Sequence, residues 1–428
     1  MRIVASLIAL AIATPASAET LVIIHADAWT MEGAEPVKDA TIIIDDGRIV
    51  SVAPSGPVPS GGKVIDARGK PVTPGLVNAA TQIGLVEVAS SPETRDDAST
   101  DERTPGYDSS RALNGNSTLV SLARADGVTR ALIYPSPSRN APMSGEPVFA
   151  RLRDGVDILD RGGVVAVYAV IGGGAWDRLG ARAQQWTALR KLLGDTKRGM
   201  AAPPEAAARR KDKRRGSRED RTKGDSAPLG GADGALRDVL SGKLPLAIQT
   251  HRESDIRQAA ALVSDFGIKV IVVGGSEAWR AADVLAVAKV AVILDPQVNL
   301  PFNFDQLGAR QDNAAILAKA GVAIAIGQAG GAIHTTYNAG MGLREGAGIA
   351  VANGLPYIDA LRAVTVSPLA IWGRSGGALT PGADADLVIW DGDPLEPSTN
   401  AESVIIEGRL ATNRSRQDML AERYRDTR

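Results

Sequence analysis

Cysteine is absent from all 428 residues, and histidine occurs only as His25, His251 and His334. The missing cysteine excludes disulfides, thiolate metal sites and a lipid-anchored N-terminal cysteine, so stability must come from burial. The scarcity of histidine limits any imidazole-built metal centre. Charge of either sign is not in excess: 48 basic residues face 49 acidic ones. That balance argues against nucleic acid as a general partner. After the N-terminal segment, no apolar run is long enough to span a bilayer.

The N-terminus has the layout of a secretory signal peptide. Arg2 supplies the positive start, Ile3 to Ala13 the apolar stretch, and Ala16-Ser17-Ala18 a small-residue cleavage site. Cleavage near Ala18 would place the mature chain in a periplasmic or secreted setting. The remaining length suits a large core, as two domains or one barrel with additions.

From Thr20 to Val72 the pattern is one of short β-rich runs: Thr20–His25, Ala40–Ile44, Arg48–Val52 and Lys63–Asp66. The Asp46-Gly47 pair between two of them is a hairpin signal. The C-terminal runs Ala385–Trp390 and Ser403–Glu407 have the same texture. Residues 19–72 and 374–412 are therefore expected to form one small β-sandwich composite domain built from both ends of the chain.

Between them, residues 73–373 alternate strands with helices. Candidate strands are Val128–Tyr134, Val164–Val170, Leu246–Gln249, Val270–Val273, Ala291–Leu294 and Val322–Ile326, with helices such as Ser254–Phe266, Ser276–Val290 and Asn303–Ala320. Repeated units of this length predict a parallel sheet in the α/β class, and their number suits a (β/α)8 barrel. Residues 200–233 break the rhythm. Their Ala/Pro stretch and the basic run 209–223 lack apolar periodicity and read as a charged, disordered insertion. A solvated loop or a contact with anionic envelope polymers are its two readings. The tail 413–428 is expected to form a short helix packed by Met419, Leu420 and Tyr424.

Three segments together resemble a known family. Gly69–Gly84, GKPVTPGLVNAATQIG, is similar to the first barrel strand of the imidazolonepropionase-like amidohydrolases, which reads approximately PGLIDAHTHxG. Gly376–Pro394, GGALTPGADADLVIWDGDP, resembles that family's return into its β-sandwich. Val351–Ile371 resembles the helix pair after its last barrel strand. The resemblance covers essentially the whole mature chain. It implies a metal-dependent hydrolase barrel, a hydrolase acting on non-peptide C–N bonds such as amides and cyclic amides, and a Zn-type divalent ion held at the C-terminal rim.

The resemblance also implies where the ligands should stand, and the chain departs from it at each place. Ala80 and Gln82 occupy the first-strand histidine positions, Gln249 the fifth-strand position and Gly274 the sixth. Ala329 stands at the position of the aspartate that follows the eighth strand. With His25 in the β-domain, two histidines remain where about four are wanted. The sequence therefore supports no metal and no other cofactor.

One alternative is a carboxylate-rich metal site using Glu87, Asp255, Glu277 or Asp295. The other reading of these acids is as helix N-terminal charges and surface residues. His251, Glu277, His334, Gln82 and Gln249 are the candidate pocket residues; His251 and His334 have equally good structural readings.

Neither Gly172-Gly173-Gly174 nor Gly330-Gly331 is followed by the Lys-Ser or Lys-Thr of a phosphate-binding loop. Three functions remain open. One is a degenerate amidohydrolase that binds a small amide-like ligand or serves as the silent partner of an active paralogue in a hetero-oligomer. The second is an active hydrolase with an altered metal site, and the third an envelope binding or scaffold protein.

Overall fold

The structure is a computed structural model that describes residues 20–98, 104–137, 142–173, 179–201, 230–298, 300–301, 303–328, 337–412 and 414–425. The expected signal peptide, the basic run 209–223, Ala329 and His334 lie outside the described residues.

Both ends of the chain meet in one sheet. Strands β1 (Leu21–Ala28), β2 (Val37–Asp45), β3 (Arg48–Pro54), β4 (Lys63–Asp66) and β5 (Pro71–Pro74) come from the N-terminal part. Strands β16 (Leu387–Trp390), β17 (Ala401–Ile406) and β18 (Arg409–Leu410) come from the C-terminal part. Their order is β18-β17-β16-β5-β1-β2-β3, with β4 also on β1. Period-2 alternation sends Ile23, Ile42, Ile44, Leu387, Ile389 and Ile405 to one shared core. At the β2–β3 hairpin both Asp46 and Gly47 have positive φ, the conformation that a two-residue turn of this hand demands.

The barrel staves are β6 (Leu76–Thr81), β7 (Val128–Ile133), β8 (Met143–Gly145), β9 (Val148–Arg151), β10 (Leu159–Val164), β11 (Val167–Val170), β12 (Leu246–Thr250), β13 (Val270–Gly274), β14 (Ala291–Leu294) and β15 (Ile324–Ile326). They form two sheets, β10-β9-β7-β6 and β15-β14-β13-β12-β11-β8. Two features join these sheets. The stretch 143–151 carries β8 in one and β9 in the other. On the far side, Asn78 Oδ1 accepts from Gln328 N at 3.2 Å, tying β6 to the residues after β15.

The sequence pattern predicts parallel staves throughout, and one differs. β9 runs antiparallel to β7, and β8 antiparallel to β11. A parallel return needs a crossover of a dozen or more residues. Only Tyr134–Pro142 separate β7 from β8, so the chain turns back on itself.

Alternation divides each stave between two cores. Val77, Leu132, Phe149, Tyr168, Ala247, Ile271, Ile293 and Ala325 pack together in the lumen. Leu76, Ile133, Val148, Ile248, Val272, Val292 and Ile326 face the surrounding helices. Helix Glu253–Phe266 ends on Gly267 in the left-handed conformation, as a glycine stop allows. The expected helices Ser276–Val290 and Asn303–Ala320 are shorter, because their first halves are 3-10 turns and loop.

The tail does form a helix, Arg416–Arg425, but Met419, Leu420 and Tyr424 are exposed on it rather than packed. Its anchor is polar: Gln417 Nε2 donates to Tyr337 Oη at 2.6 Å.

Candidate ligand site at the barrel mouth

The C-terminal ends of the staves carry the residues expected to act, and each has a defined neighbourhood. Ala80 offers no donor atom and is fully buried. Gln82 turns its amide toward Ser136 Oγ at 2.8 Å, with Tyr134 O and Asp97 Oδ2 at 3.4 Å. Gln249 Oε1 accepts from the Tyr168 hydroxyl at 3.2 Å. Tyr168 in turn stacks on Tyr134, with ring centroids 4.5 Å apart and planes 16° from parallel. Burial holds the Tyr168 hydroxyl well above the ordinary phenol range, so it stays a neutral donor.

His251 follows β12, and its Nδ1 lies 2.8 Å from Ser276 Oγ and 3.4 Å from Gln306 Nε2. Burial lowers its pKa, which keeps the ring neutral at neutral pH. The imidazole lies over Gly274, at the sixth-strand ligand position. A Cβ placed on Gly274 would come within 2.6 Å of His251 Cε1, and this glycine has φ +92°. The space in which a sixth-strand ligand would grow is filled by the histidine from the neighbouring stave.

Three of the four carboxylates considered for an alternative metal site are engaged elsewhere. Glu277 accepts from Glu253 N at 3.0 Å and from Gly308 N at 2.8 Å, one bond to each oxygen. Its role is to cap helix Glu253–Phe266 and to pin the loop after β14. Asp255 accepts from Trp186 Nε1 at 2.8 Å and Arg182 Nε at 2.9 Å. Glu87 faces Asn114 and Thr118, each at 3.5 Å. Among the described residues, no group of three His, Cys, Asp or Glu side chains could hold a metal ion. The donor set of these residues does not fit the divalent metal that the family resemblance implies.

The loop following β14 crosses the mouth as a strap. Asp305 accepts from Gly173 N at 2.6 Å and pairs with Arg182, beyond β11. Gln306 reaches Ser276 and His251, while Gly308 is held by Glu277. The strap therefore touches the ends of three successive staves.

Asp295 stands at the root of this strap. It follows Leu294 and so continues the lumen-facing phase of Ile293. Its Oδ1 accepts from Gln297 N at 3.1 Å. Burial pushes its pKa up to about 7, against backbone hydrogen bonds from Gln297 and Val298 that act to lower it.

Gln82, Gln249, His251 and Glu277 thus all lie at stave ends, yet in separate hydrogen-bonded groups. The sequence reading missed the tyrosine pair, Ser276 and Gln306. The period-2 phase of β7 and β11, which places Leu132 with Tyr134 and Ala166 with Tyr168, carried the signal for the tyrosines.

A barrel joined to a composite sheet, with its candidate site at the C-terminal stave ends, is an architecture that places ligand chemistry at that rim. Comparison adds a family likeness: residues 252–411 match the amidohydrolase family model, and the fold is that of solved amidohydrolases. An amidohydrolase from Thermotoga maritima MSB8 superposes with a TM-score of 0.78 at 24% identity, covering 92% of this chain and 100% of that one. The β-aspartyl dipeptidase of Fervidobacterium islandicum AW-1 superposes at 0.55 with 14% identity, covering 91% and 96%. Molinate hydrolase superposes at 0.54 with 17% identity, covering 93% and 95%. No curated protein sequence matches the chain.

Proposed function

We propose that this is an exported amidohydrolase-fold protein that binds a small ligand at its barrel mouth without metal-dependent hydrolysis. The N-isopropylammelide isopropylaminohydrolase of Burkholderia multivorans and molinate hydrolase, which share this fold, support a lineage that hydrolyses C–N bonds. The observation that carries the reading is the His251 imidazole over Gly274, with Ala80, Gln82 and Gln249 at the other ligand positions. A neutral buried histidine, the neutral Tyr168 hydroxyl and amides form a binding surface, whereas activating water at a metal needs anionic and imidazole ligands together.

The test is metal analysis of the mature protein purified without chelators, with turnover of cyclic amides, dipeptides and N-acyl amino acids. The expected result is substoichiometric zinc and no chelator-sensitive turnover. Stoichiometric zinc or iron, or hydrolysis abolished by a chelator and restored by metal, would overturn the proposal.

A further inference from the structure

We infer that the turn Phe304–Gln306 is a gate over the barrel mouth, hinged at Gly308 and latched by Asp305 on Arg182, which swings away to uncover Ser276 and His251. The inference goes beyond the binding reading above and concerns access to the mouth, whatever chemistry is done there.

The turn is a unit of its own. Asn303 Oδ1 accepts from Asp305 N at 2.9 Å, and Asn303 O accepts from Gln306 N at 3.0 Å, so local bonds close a single 3-10 turn. These bonds travel with the turn when it moves. What joins it to the staves is different in kind. Asp305 and Gln306 reach inward to their partners, whereas Phe304 and Leu307 stand outward, 86% and 63% exposed. Residues 303–308 therefore bury polar side chains and leave their large apolar ones in water, the reverse of a loop held down by a core. Segments with few buried apolar contacts open at far lower free energy than the whole fold.

The polar contacts are unequal, and this gives the movement a direction. Gly308 is tied at both backbone groups: its N–H donates to Glu277 Oε1 at 2.8 Å, and its carbonyl accepts from Trp279 Nε1 at 2.8 Å. A Cβ there would come within 2.8 Å of both Arg280 Nη2 and Glu277 Oε1, so the backbone is closely seated. That end is the hinge. At the other end, Asp305 accepts from Gly173 N at 2.6 Å and pairs with Arg182, which is itself held by Asp255 through Nε at 2.9 Å. This latch is partly exposed, so salt weakens it. Between hinge and latch, Gln306 Nε2 lies 3.2 Å from Ser276 Oγ and 3.4 Å from His251 Nδ1. Ser276 is 1% exposed with the gate in this position.

The chain has no cysteine, so Ser276→Cys installs a unique buried thiol against the gate. The experiment follows modification of that thiol by methyl methanethiosulfonate in the full mature chain, at fixed pH, with urea varied below the unfolding transition. The reporter chain should label at a rate that hardly changes with urea, the mark of local opening rather than global unfolding. Adding Asp305→Asn keeps an acceptor for Gly173 N but removes the charge. It should speed labelling about 10- to 100-fold, the range set by a hydrogen bond to a charged group. Arg182→Gln should act in the same direction, and about 0.5 M sodium chloride should speed the reporter chain but neither latch variant. Arg190→Gln, which breaks the surface pair with Asp265, should leave the rate unchanged.

Labelling that rises with urea as steeply as global unfolding would overturn the gate. So would a thiol inert in every variant, one as reactive as in the urea-unfolded chain, or equal rates in the reporter chain and both latch variants. The readout is thiol access, so it stands apart from the metal content and turnover that test the binding reading.

Discussion

Arg130 lies between Asp384 and Asp386, with its Nε 2.8 Å from Asp386 Oδ2 and its Nη2 on Asp384. The arginine belongs to the second stave and the aspartates to the approach to β16, so one side chain bolts the barrel to the composite sheet. Arg151 repeats the arrangement, reaching Asp384 Oδ2 at 2.6 Å and Glu407 Oε1 at 2.9 Å. Asp160 completes the group. The family-like GADADLV motif thus has a physical reason: its two aspartates neutralise two buried arginines.

Removing one partner of such a network strands the others in a low-dielectric site. Arg130→Ala is expected to destabilise the fold by about 3–5 kcal/mol, read as a shift in urea midpoint at constant slope. A loss below about 1 kcal/mol would mean that solvent screens the group despite its burial.

Restoring the expected ligand at the sixth stave should fail on steric grounds. Gly274→His would place a side chain into the His251 ring and force a β-carbon onto a left-handed backbone. The single variant is expected to lose at least about 2 kcal/mol by thermal or chemical unfolding. Gly274→His combined with His251→Ala removes the clash and should recover part of that loss, leaving only the backbone cost. Equal loss in both variants would show that the ring is not the obstacle.

Asp295 gives a pH-dependent expectation with a definite sign. Its folded value of about 7 lies above the ordinary 3.8. The protonated carboxyl's contribution is therefore fully present below about pH 4 and is lost as pH rises through 7. Asp295→Asn should leave stability unchanged at about pH 4 and raise it at about pH 8, by up to about 4 kcal/mol. A variant that is no more stable than the parent at pH 8 would show that the carboxylate is solvated.

Gly127 tests how closely barrel and sheet approach. It has φ +91°, and an added Cβ would meet Trp390 Cη2 at 2.4 Å. Trp390 is fully buried, with its Nε1 bonded to Thr73 Oγ1 at 2.8 Å, so it has little room to yield. Gly127→Ala should cost about 2–4 kcal/mol in a urea titration, through overpacking and backbone strain together.

Much of the architecture was legible because it rests on local periodicity. Strands at both ends, the Asp46-Gly47 turn and the aliphatic staves are written in neighbouring residues. The antiparallel stave was not, since its direction follows from a short connection rather than from any pattern within Met143–Arg151 itself. At the mouth, Gln82 and Gln249 were found at stave ends, where the family resemblance placed them. Their partners Ser136 and Tyr168 are 54 and 81 positions away, distances that no local pattern encodes. The tail helix formed as expected, yet its apolar residues face outward, because amphipathic spacing does not say whether a partner surface exists.

The pairing of β5 with β16 sets Thr73 opposite Val388, 315 positions later. The inner half of the composite sheet therefore cannot close until nearly the whole chain is available. Until then β5 presents an open edge, and Asp384 and Asp386 are not yet there to meet Arg130 and Arg151. The topology makes completion of the sheet the late event of folding, dominated by the slow search for a distant strand. A chain cut short before Leu387 would keep its barrel staves but lack the lock that joins them to the N-terminal strands, leaving that open edge as a point of misassembly.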